Sequence, residues 1–73
     1  GQLVFIEVEN LSGNAVLTVS SINGSIVDKT QVSIEENQKQ FSYNLKNIVP
    51  GVYFVTLTTQ DAVLTKKVVV QPR

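Results

Sequence analysis

The side chains in this chain that could carry chemistry are few: Glu7 with Glu9, Glu35 with Glu36, Tyr43 and Tyr53, and the adjacent Lys66 and Lys67. Either carboxylate pair could join backbone oxygens around a calcium ion. Glu35 and Glu36 read more simply as a solvated turn, because adjacent carboxylates provide no converging oxygen cage. Neither pair reads as a general acid and base, since the sequence around each gives no sign of a pocket. The chain contains no histidine and no cysteine. It therefore lacks the commonest metal ligand, the commonest general base near neutral pH and any thiolate nucleophile. The expectation is a protein that is not an enzyme and that uses no cofactor and no metal. Tyr43 and Tyr53 could stack on a sugar, but tryptophan, a favoured sugar platform, is absent. Their plainer role is as core residues whose hydroxyls reach the rim.

Lys66 and Lys67 are more informative. Adjacent residues in a strand point to opposite faces, so one lysine must share a face with apolar neighbours. Two readings follow. The strand lies at a sheet edge, where an inward lysine blocks pairing with other chains, or a partner reads its unpaired backbone and its charges.

The elements that must hold these residues can be read in order. Val49-Pro50-Gly51-Val52-Tyr53-Phe54-Val55-Thr56-Leu57-Thr58 organises the rest. Pro50 fixes its own φ, Gly51 can take the positive φ of a tight turn, and a β-branched and aromatic run follows. Apolar residues in both phases of that run predict a central strand covered on both faces. Leu3 to Glu9 predicts a first strand with Val4, Ile6 and Val8 on one face. Asn10 to Asn14 is rich in turn formers, and a hairpin into Ala15 to Ser21 is the economical reading. In that second strand Ala15, Leu17 and Val19 form the core face. Asn23-Gly24 predicts a type I′ hairpin turn. The third strand runs from Ile26 to about Ile34, with a bulge near Val27 and Asp28 to reconcile its phases. Glu35 to Gln38 reads as a polar turn, and Lys39 to Leu45 as a half-buried strand with Phe41, Tyr43 and Leu45 inward. Leu45 and Ile48 are placed to plug one end of the core. A reversal at Thr59 to Ala62 leads into a last strand, Val63 to Val70, and a frayed Gln71-Pro72-Arg73. About six to seven antiparallel strands, with no helical periodicity, predict an all-β fold: a small β-sandwich in two sheets.

Composition narrows the functions further. At 73 residues the chain makes one domain at most, with 42% hydrophobic and 16% charged residues. Six basic and six acidic residues cancel, so the net charge gives no reason to expect nucleic acid. No apolar run approaches the roughly 18 residues of a membrane-spanning helix, so direct membrane insertion is not expected. A start at Gly1-Gln2, without methionine or signal peptide, reads as a fragment of a longer protein, with residues 1–73 as its single β-sandwich domain.

Four stretches taken together carry a resemblance. Asn14-Ala15-Val16-Leu17-Thr18-Val19, Ile22-Asn23-Gly24-Ser25-Ile26-Val27, Asn44-Leu45 through Pro50-Gly51-Val52-Tyr53-Phe54-Val55, and Thr65-Lys66-Lys67-Val68-Val69-Val70 stand in this order. The set, from about residue 14 to residue 70, closely resembles the type A C-terminal sorting domain of proteins exported by the type IX secretion system of Bacteroidota. That resemblance implies an immunoglobulin-like β-sandwich and a non-catalytic secretion signal. It implies recognition in the periplasm and passage through the outer membrane to the cell surface or medium. The partners it implies are the type IX translocon, its shuttle components and a sortase-like protease that in many members cleaves the domain and attaches the cargo. By the same resemblance, Gly24 carries the turn after the second strand. Pro50, Gly51 and Tyr53 carry the turn and central strand, and Lys66, Lys67, Val68, Val69 and Val70 carry the terminal signal. The chain departs from the family pattern at Ser21 and Ser25, where an acidic residue and an arginine are usual, and at Gln71-Pro72-Arg73, where a lysine often closes the domain. The alternative expectation is an immunoglobulin-like structural or adhesive module of a surface protein. A long exposed edge in so small a sandwich also permits an edge-strand dimer.

Overall fold

The computed structural model describes residues 2–46 and 48–72. Six strands account for most of them: β1 (Gln2–Glu7), β2 (Gly13–Ser21), β3 (Ile26–Ile34), β4 (Gln40–Leu45), β5 (Gly51–Thr58) and β6 (Val63–Val70). All pairings are antiparallel. β1 pairs with β4 in a two-stranded sheet, and the other four strands form a second sheet in the order β3-β2-β5-β6. The fold is the expected all-β arrangement of two sheets.

Period-2 alternation selects the inner face of each strand. Val4, Ile6 and Val8 face inward from β1 and the residue just beyond it, and Ala15, Leu17 and Val19 do so from β2. Tyr53, Val55 and Leu57 of β5 meet them, with Ile34, Leu45 and Val68 completing the buried set. Each fully buried aliphatic side chain contributes about 1.5 to 3 kcal/mol relative to exposure. No polar or charged residue is buried among the described residues. Leu45 is buried and Ile48 packs partly against the core, which closes one end as expected.

β5 is an interior strand, but it is not covered on both faces. Val52, Phe54 and Thr56 remain half-exposed on the outer surface, because the two-stranded sheet lies only against the inner one. Apolar residues in both phases reflected β propensity as well as burial.

The expected β1–β2 hairpin does not form. A turn closed by the Leu11 amide on the Val8 carbonyl at 3.0 Å, with Asn10 at φ 66°, carries the chain to the opposite sheet. β1 takes β4 as its partner instead, in a register from Gln2 opposite Leu45 to Glu7 opposite Gln40. The β2–β3 hairpin forms with a different turn. Gly24 donates to the Ser21 carbonyl at 2.9 Å, and Ser21 donates to the Ser25 carbonyl at 2.8 Å. Only Gly24 of the loop has positive φ, at 91°. This is a three-residue loop closing on a glycine bulge rather than a type I′ turn. The Asn23 carboxamide oxygen accepts from the Ser25 amide at 3.2 Å and from the Ser21 hydroxyl, a use of asparagine that needs no left-handed backbone.

β3 has the predicted bulge. Val19 opposes Asp28 and Ser20 opposes Ile26, which leaves Val27 as the extra residue. Asp28 keeps the inner phase of Thr30, Val32 and Ile34, and the bulge beyond it sends Ile26 to the outer face. The polar turn at Glu35 to Gln38 and the reversal at Thr59 to Ala62 both appear as predicted, closed by backbone bonds of 3.1 and 2.8 Å.

Candidate functional site

Register gathers most of the singled-out residues at one end of the four-stranded sheet. Gly51 lies opposite Val70, Val52 opposite Val69, and Tyr53 opposite Val68. On the other side of β5, Ser21 lies opposite Tyr53, so the loop carrying Gly24 emerges at the same end. Three segments far apart in sequence, the β2–β3 loop, the Pro50-Gly51 bend and the end of β6, thus share one rim.

Tyr53 fixes the geometry of that rim. Its ring is buried at 5% exposure, and its hydroxyl donates to the Val49 carbonyl at 2.6 Å, across the Pro50-Gly51 bend. The bond ties the β4–β5 connection to the strand it feeds, as a tyrosine corner does in β-sandwiches. Gly51 holds φ at 156°, which an L side chain rarely adopts, although a Cβ there would make only ordinary contact with the Tyr53 ring at 3.7 Å. Pro50 is exposed, and its ring holds the bend from the outside.

β6 is an edge strand, and its two lysines divide as the alternation requires. Lys67 points outward, opposite Phe54. Lys66 lies on the inner phase between half-buried Leu64 and buried Val68, opposite the fully buried Val55. Its stem crosses the open seam between the sheets, and its ammonium donates to the Phe5 carbonyl of β1 at 2.6 Å. Val68 is in the core, Val69 is exposed and Val70 is half-buried. The nine residues therefore do not present one continuous surface. Tyr53 and Val68 are structural, whereas Pro50, Lys66, Lys67 and Val69 are exposed.

The remaining chemistry candidates stay apart. Tyr43 is half-buried and donates its hydroxyl to the Asp28 carboxylate across the seam between β4 and β3. Glu7, Glu9, Glu35 and Glu36 are exposed, and among the described residues no three acidic side chains converge. Sequence reasoning missed the cross-seam roles of Asp28 and Phe5. Asp28 was legible only as an interruption of a hydrophobic phase, and a backbone carbonyl leaves no residue-type signal.

A family model described as the secretion system C-terminal sorting domain matches residues 2–71. The chain belongs to the type IX secretion C-terminal sorting domains. No match was found among curated proteins or among solved structures. The sorting-domain family is a secretion tag rather than a catalytic domain. Membership implies interaction with the type IX secretion machinery and export across the outer membrane to the surface or medium. The matched span takes in all six strands, so the sorting domain comprises the whole sandwich rather than β6 alone.

Proposed function

We propose that residues 1–73 are a single folded address on a longer exported protein, read by the type IX machinery through β6 and the rim beside it. The observation that carries this reading is the family match over residues 2–71, in which β6 is an edge strand. An edge strand offers backbone donors and acceptors to an extended partner, and Lys67 and Val69 add a charge and an apolar side chain on its outward phase. In this reading Lys66, Lys67 and Val68 to Val70 form the signal. Pro50, Gly51, Tyr53 and Gly24 hold the rim against which β6 is aligned. The shuttle and translocon components meet the folded domain in the periplasm, and a sortase-like protease removes it from those cargoes that become surface-attached.

The test is export of a periplasmic reporter fused to the chain, in a host with a working type IX system, with and without truncation after Thr65. The full fusion reaches the medium or surface, and the truncated fusion stays behind while far-UV circular dichroism still reports strand. A full-length fusion that remains periplasmic overturns the proposal.

A further inference from the structure

Four apolar side chains meet on the outer face of the four-stranded sheet, at the end that carries the Pro50-Gly51 bend. Ser20 lies opposite both Ile26 and Phe54, and Phe54 lies opposite Lys67, so one row runs Ile26, Ser20, Phe54, Lys67 across all four strands. Val52 and Val69 form a pair nearer the bend. Ile26 is 63% exposed and Val69 48%, while Val52 and Phe54 are half-buried. The two-stranded sheet packs on the opposite face, so among the described residues no element covers this one. The next row away from the bend is polar: Lys29, Thr18, Thr56, Thr65. An apolar centre is thus bordered by hydroxyls and by a lysine at each edge of the sheet, the layout of a protein interface.

Charge is segregated along the molecule. Glu35 and Glu36 follow Ile34, which pairs with the first residue of β2; Glu7 ends β1, with Glu9 beyond it; Asp61 lies in the turn between β5 and β6. These five acids stand at the end away from the bend. The sixth, Asp28, is on the inner phase and accepts from the Tyr43 hydroxyl. The strands of the larger sheet therefore present two lysines and no carboxylate on their outer face. The exposed Leu3 and Phe5 on β1 share their phase with Glu7 instead.

We propose that this face is a second part of the recognition surface. An acidic protein surface with an apolar centre, belonging to the export machinery, docks flat over Ile26, Phe54, Val52 and Val69 and sets carboxylates against Lys29 and Lys67. The inference rests on the reading of β6 and its rim as the recognised part, and it adds a contact that a strand on the β6 edge cannot make. Three strand spacings separate β3 from β6, which puts Ile26 and Lys29 roughly 14 Å from that edge. Charge complementarity selects the occupant, because an acidic partner is drawn to this face and repelled by the far end.

The reporter fusion carries the test, with Ile26→Thr and Lys29→Glu as independent variants on β3, away from the terminal signal. Both positions are exposed and both replacements suit a strand or its edge, and a parent-like urea midpoint confirms the fold; should one variant fail to fold, the other decides. Leu3→Thr and Lys39→Glu make equivalent changes outside the face. Export of each β3 variant falls roughly fivefold, and the two controls export like the parent. Folded β3 variants that export at the parent level overturn the docking face and leave the reading of β6 intact, whereas a parent fusion that stays periplasmic overturns both. Two measurements on the purified chain check the occupant. The parent is expected neither to sediment with phosphatidylglycerol vesicles nor to self-associate in sedimentation velocity. Vesicle binding lost in Lys29→Glu would assign the face to an anionic lipid surface, and self-association lost in Ile26→Thr would assign it to a second copy; either result overturns the acidic protein partner.

Discussion

Tyr53 shows how one side chain can serve both the core and a turn. The ring fills space beside Val68, while the hydroxyl spans the bend to the Val49 carbonyl at 2.6 Å. Val49 itself is 71% exposed, so water can take over its carbonyl when the hydroxyl is removed. The loss is then that of an ordinary net hydrogen bond rather than of a stranded buried group. Tyr53→Phe should lower the unfolding free energy by about 1 kcal/mol, with an unchanged denaturant slope in urea titration. A loss several times larger would mean that the hydroxyl organises the whole β4–β5 connection.

Strands proved more legible than their pairing. Period-2 patterns located all six strands to within a few residues, and β3 and β6 were bounded at Ile26–Ile34 and Val63–Val70. Alternation is a local property that survives in the sequence. The partner of β1 was not legible, because Val4, Ile6 and Val8 pack equally well against a hairpin neighbour or across a sandwich. The choice was made by the turn at Val8 to Leu11, where Asn10 at φ 66° redirects the chain. The Asn23-Gly24 loop was similar: its dipeptide announced a hairpin, while its length and bulge depended on how Ser21 pairs with Ser25. That loop gives a test at the element scale. A Cβ at Gly24 meets nothing within 4 Å, so any cost of Gly24→Ala comes from holding alanine at φ 91°. Left-handed backbone costs an L residue roughly 1 to 2 kcal/mol. Gly24→Ala should lower stability by that amount, and Gly24→Asn by less, as read from paired thermal melts. Equal losses in the two would show that the loop had changed its turn type.

At the scale of the whole molecule, the core is small and shared between two unequal sheets. A chain of this length carries a net stability of about 4 to 11 kcal/mol on the usual per-residue range, so a single central side chain is a large fraction of the total. Leu17 is fully buried and lies between Thr30 of β3 and Leu57 of β5, on the face turned to the two-stranded sheet. Replacing it with alanine removes contact with both layers and leaves a cavity that strands fixed by ladder bonds on either side cannot readily fill. The expected cost of Leu17→Ala is about 3 kcal/mol, read as a fall in the urea midpoint at constant slope. Leu3→Ala, at a position 54% exposed on the outer face of β1, should change the midpoint little. If the two variants lost similar stability, the two-stranded sheet would be held by its outer surface as much as by the core. The sorting domain would then need a second surface packed against β1 to keep its fold.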